Sequence, residues 1–143
     1  MNYHPLPENF LVEELVSEHI HGVYQDAALE FIDPRILHTL DFMRNQRFKT
    51  PITVNNWHRG GVLQHRGYRE PSARVGAANS QHRHGRAIDC DVDGLSADEV
   101  CDDILKHPDL YPFITCIERG VSWVHFDVRN HNSDADGIKI IWG

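Results

Sequence analysis

Residues Asn79–Gly94 read NSQHRHGRAIDCDVDG, and two histidines meet three alternating aspartates within them. In an extended strand Ala87, Asp89 and Asp91 fall on one side, and Ile88, Cys90 and Val92 on the other. The second side suits a core, so the first must account for its acids. Asp89, Asp91, Asp93 and Gly94 match the opening of an EF-hand calcium loop. That loop also needs an entering helix and a glutamate at its last position, where Val100 stands. Asp93-Gly94 is more simply the turn that ends the strand. The competing reading joins Asp89 to His82, which Gly85 allows to fold back toward the strand. Trp123-Val124-His125-Phe126-Asp127 offers a third ligand, with His125 and Asp127 on one face and Val124, Phe126 and Val128 on the other. Two histidines, one aspartate and an open position describe a catalytic zinc site rather than a closed structural one.

Working outward, Leu11, Val12, Leu15, Val16 and Ile20 recur at helical spacing, predicting a helix from Glu8 to about Ile20 with Gly22 as its stop. Asp33-Pro34 is an N-cap followed by proline at the first helical position, opening a second helix through Ile36, Leu37, Leu40 and Met43. Pro51–Asn55 reads as a short strand, and Asn56 to Asn79 as a long loop of the kind that carries function. Ser96 and Glu99 form a capping box that opens a helix to about His107. Ile114–Glu118 and Trp123–Val128 are strands of a hairpin around Arg119–Ser122, Asn132–Gly137 is a turn, and Ile138–Trp142 is a closing strand. Helices first and neighbouring strands afterwards predict an α+β fold. Its sheet is small and mainly antiparallel, its N-terminal helices pack on it, and one domain spans residues 1–143.

The composition narrows the function. A net charge of −7 argues against a nucleic-acid backbone as partner. Cys90, Cys101 and Cys116 form no C-x-x-C pair, so reduced thiols are expected rather than a disulfide framework or a thiolate zinc site. The start of the chain lacks a basic region followed by an apolar run, and no apolar run reaches the length of a membrane span. A protein made in the cytoplasm, without a signal peptide or membrane span, is the expectation.

The pattern S-x-H-x-x-G-x-A-x-D at Ser80, His82, Gly85, Ala87 and Asp89, followed by W-x-H-x-D at Trp123, His125 and Asp127, resembles the zinc D-alanyl-D-alanine carboxypeptidase family. That family includes phage L-alanyl-D-glutamate endolysins and shares the hedgehog/DD-peptidase fold. Gly67-Tyr68-Arg69 is similar to the family's upstream G-Y-R, and Asn9-Phe10 with Glu13-Glu14-Leu15 to the N-terminal helices of its phage and prophage branch. The resemblance implies His82, Asp89 and His125 as zinc ligands and Arg69 as the arginine that holds substrate or stabilises an oxyanion. It implies Ser80 as a support of the ligand loop. Peptidoglycan stem peptides become the expected partner, through a phage lysis system or virion, with carboxypeptidase and endopeptidase both open.

Many relatives carry an acidic base three residues before the last histidine, where this chain has Ser122. Glu118 is the candidate replacement. An even hairpin loop pairs Glu118 opposite Trp123 and leaves Glu118 diagonal to His125 on the same face. Asp127 is expected to orient the ligands or Arg69. The alternative, from a different class, is a non-catalytic phage or prophage structural protein that keeps the fold and the zinc.

Overall fold

A computed structural model describes residues 5–130 and 137–143. Helix α1 (Glu18–Tyr24) begins at Ser17, whose hydroxyl accepts from the Ile20 N–H at 3.2 Å. Helix α2 (Pro34–Phe42) begins at Asp33, whose carboxylate accepts from the Arg35 N–H at 2.9 Å. Strands β1 (Ile52–Thr53) and β2 (Ala87–Val92) flank the long loop. Helix α3 (Ala97–Lys106) starts in a complete Ser96–Glu99 capping box, and strands β3 (Cys116–Arg119), β4 (Val124–Asp127) and β5 (Lys139–Trp142) follow. The expected turn at Asn132–Gly137 lies, apart from Gly137, outside the described residues.

The fold is α+β, as expected, but its five-stranded sheet is mixed. The strand order is β1-β2-β4-β3-β5, with antiparallel pairs except for β5, which runs parallel to β3. The side chains of Ile88, Cys90, Ile117, Val124 and Phe126 form the apolar face, and α3 packs on it through Val100, Cys101 and Ile104. Residues Leu15, Ile36, Leu40 and Met43 belong to the same core. Among the described residues, no helix is long and apolar enough to cross a membrane.

The predicted helix Glu8–Ile20 does not form as one piece. Val12–Glu14 make a single 3-10 turn, and α1 starts afresh at Glu18 and passes through Gly22 rather than stopping there. Tertiary hydrogen bonds explain the break. The Glu14 carbonyl accepts from the Asn55 N–H (3.0 Å) and the Leu15 carbonyl from the Tyr68 N–H (2.9 Å). The Val16 carbonyl accepts from Asn55 Nδ2 (3.1 Å) and Trp57 Nε1 (2.9 Å). A continuous helix would need those same carbonyls. They tie the N-terminal segment to the loop that carries the site.

Candidate metal centre

Four strands place one row of side chains across the polar face of the sheet. Asp89 on β2 pairs with His125 on β4, His125 with Glu118 on β3, and Glu118 with Ile141 on β5. Glu118 therefore stands directly opposite His125, and the expected pairing with Trp123 is two residues out of register. The hairpin turn is even, as assumed, so the face is right. The Glu118 Oε2 atom lies 4.0 Å from His125 Nδ1.

His82 reaches this row from the loop. Ser80 caps the 3-10 turn Gln81–His84 by accepting from the His82 N–H at 3.3 Å. Gly85 closes the turn with φ +67°, where any Cβ would run into the Phe31 carbonyl. His82 Nδ1 donates to the Gly67 carbonyl at 3.0 Å, which leaves Nε2 facing Asp89 Oδ2 at 3.2 Å. Gly67 is fixed by packing: a Cβ there would run into the Leu15 carbonyl.

The ligand atoms of His82, Asp89 and His125 all lie within 4.8 Å of one another. His125 Nδ1 sits 2.8 Å from Asp89 Oδ1, and its Nε2 sits 2.8 Å from Asp127 Oδ2. Each histidine thus has one nitrogen held by an oxygen acceptor and the other turned toward Asp89, the arrangement that fixes a metal-binding tautomer. A histidine lone pair aimed at a carboxylate is repulsive unless positive charge lies between them, as a proton or a cation. Nitrogen and carboxylate donors at these separations suit a small divalent ion with bonds of ~2.0–2.2 Å. The donor set fits zinc.

Burial and hydrogen bonding oppose each other throughout the centre. Burial alone would push the Asp89 carboxyl up, but the bonds from His125 and His82 hold it well below the carboxylate range. Burial would lower His125, but Asp127 and Asp89 push it up to about 9. Burial would raise Asp127, yet His125 and Arg129 bring it down.

Asp127 is fully buried and orients His125, but its cationic partner is Arg129 rather than Arg69. Arg129 Nε and Nη2 grip the Asp127 carboxylate at 2.8 and 2.6 Å. Arg129 went unnoticed in the sequence, although its spacing of two from Asp127 was a legible same-face signal. Arg69 is 7% exposed, donates twice to the His65 carbonyl, and holds Nη2 4.0 Å from Asp89 Oδ2. Burial lowers its pKa.

Asp91 takes no part: it is exposed and paired with Arg66 at 2.8 Å, so the run of acids forms no calcium loop. Ser122 faces a different hollow, beside α3. The three cysteines are buried and unpaired, outside the ligand set.

The row opens into a cleft of about 460 Å³ lined by Arg69, Gly76, Ala77, Asn79, Gln81, Trp123, Arg129 and Ile141 with the ligands and Glu118. A larger cavity of about 550 Å³ lies between Pro5–Glu8 and α2, away from the triad. The smaller cleft holds the converging donors, and chemistry decides in its favour. Comparison with family models, with curated proteins and with solved structures finds no match for this chain.

Proposed function

We propose that this chain is a zinc peptidase that hydrolyses amide bonds in peptidoglycan stem peptides, allied to the zinc D-alanyl-D-alanine carboxypeptidases and L-alanyl-D-glutamate endopeptidases. The observation that carries this reading is Glu118. It stands beside the largely buried His82–Asp89–His125 triad, directly opposite His125 in the sheet, and lines the same cleft. A structural zinc site has no need of a carboxylate next to its ligands, whereas hydrolysis does.

His82, Asp89 and His125 would hold the ion, and Asp127 would keep Nδ1 of His125 aimed at it. Zinc, when bound, supplies a Lewis acid that polarises the scissile carbonyl and makes water more acidic. Glu118 accepts the proton of the attacking water on its carboxylate and returns it to the leaving amine nitrogen. Arg69 donates to a substrate carboxylate or to the developing oxyanion, and its burial strengthens that contact. The acid missing at Ser122 is thereby supplied from the neighbouring strand.

Digestion of muropeptides read by mass spectrometry tests this. Zinc-loaded protein is expected to give time-dependent products that a chelator abolishes, and Glu118→Ala to retain zinc while losing ~10²-fold or more in rate. A zinc-replete wild type that cleaves nothing would leave the non-catalytic structural protein as the better description.

A further inference from the structure

Arg83 stands beside the ligand His82, and its guanidinium turns inward. Nε donates to the Ala77 carbonyl (3.2 Å), Nη1 to Glu70 (3.0 Å) and Pro71 (3.2 Å), and Nη2 to Ala73 (2.7 Å) and Val75 (3.5 Å). Residues 70–77 are wrapped around one side chain. Their own backbone contributes little among the described residues: Ala73 N–H to Glu70 (3.0 Å) and Ser80 N–H to Ala77 (3.2 Å).

The consequence is a polarity to the segment. In a trans peptide the carbonyl and the following N–H point in opposite directions, and all peptide bonds among the described residues are trans. Carbonyls of Ala73, Val75 and Ala77 that face Arg83 turn the N–H groups of Arg74, Gly76 and Ala78 away from it. Those N–H groups have no backbone partner among the described residues. Gly76 and Ala77 line the cleft. Gly76 has φ +72° and approaches Arg69 so closely that a Cβ would run into Nη1. Gly76 and the buried Arg69 guanidinium therefore lie side by side on one wall of the cleft.

We propose that segment 70–77, cinched by Arg83, is the edge that takes a carbonyl or carboxylate oxygen of the substrate peptide through the Gly76 N–H, with Arg83 as its positioning residue. This rests on the hydrolase reading above. Arginine suits the task because its planar fork can serve several carbonyls at once, whereas lysine offers a single ammonium point.

Two measurements on the full-length, zinc-loaded protein test the assignment. Arg74 is exposed within the segment, so tryptic cleavage after Arg74, followed by mass spectrometry, reports whether the edge is held. Arg83→Gln and Arg83→Lys are both expected to speed that cleavage about 10-fold or more, with zinc stoichiometry unchanged. For a stem tetrapeptide, KM is expected to rise about 10-fold with kcat within about twofold, the signature of lost substrate binding. A wild-type cleavage rate in Arg83→Gln overturns the cinch. Faster cleavage with an unchanged KM overturns the substrate edge and leaves the hydrolase intact. Should both variants fail to fold, the wild type decides: saturating tetrapeptide must slow cleavage after Arg74 and shift the Gly76 amide resonance, and no change in either overturns the proposal. Failure of the wild type to hydrolyse any stem peptide overturns both readings.

Discussion

Both ring nitrogens of His125 lie 2.8 Å from a carboxylate oxygen, Nδ1 from Asp89 and Nε2 from Asp127. Only the imidazolium donates from both nitrogens, and the two acids push its pKa up to about 9 against the burial that opposes it. The proton on Nδ1 occupies the coordinating position, so a metal must displace it. At pH 7 the pKa lies about two pH units above the medium, a cost of about 3 kcal/mol or ~100-fold in apparent affinity. From this group alone, zinc affinity is expected to rise about tenfold per pH unit between 6 and 8, with about one proton released per zinc at pH 7. Calorimetric titration in buffers of different ionisation enthalpy counts the protons, and chelator competition gives the slope. The metal-free fold must show the opposite trend. A histidine pKa raised from 6.5 to about 9 contributes stability that is complete below pH 6.5 and is lost as pH rises through 9. Thermal melts in chelator should therefore fall over the range in which zinc binding strengthens. Proton release near zero, or affinity that does not change with pH, would refute this account of the centre.

Other outcomes follow from named contacts. Asp127→Asn removes the charge that orients His125 and is expected to weaken zinc binding about 10–100-fold in the same chelator competition. Gly67→Ala drives a methyl into the Leu15 carbonyl and should destabilise the fold by about 1–3 kcal/mol in denaturant melts, metal-free as well as metal-bound. Ser96→Ala deletes the hydroxyl that accepts from the Glu99 N–H at 3.1 Å, and should cost about 1 kcal/mol without altering zinc affinity.

The parts legible in the sequence are those set by neighbours along the chain. The Asp33-Pro34 and Ser96–Glu99 caps satisfy their own backbone locally, and the structure starts helices at both. Strand alternation grouped Ala87 with Asp89, and His125 with Asp127, because a period of two within one strand needs no tertiary information. The register of the hairpin did need it. Parity chose the face, but the turn between Arg119 and Val124 chose which residue Glu118 meets. Long-range bonds were invisible: Asn55, Tyr68 and Trp57 claim the carbonyls that a helix through Leu15 would have used. Arg83 was missed for the same reason, and Gly67 was read only as part of a motif and not for its packing, since both act through partners distant in the chain.

The row Asp89–His125–Glu118–Ile141 also bears on the mechanics of the sheet. Two of the ligands belong to adjacent strands and the third to a loop hung from Leu15 by way of Gly67 and Tyr68. An ion held by all three would fasten β2 to β4 and the N-terminal segment to both. The strands lie ~4.8 Å apart, close to the reach of the short side chains that cross between them. Any strain that parts β2 from β4 would open the ligand set in the same movement, so gripping the ion and keeping the strands paired are one mechanical act.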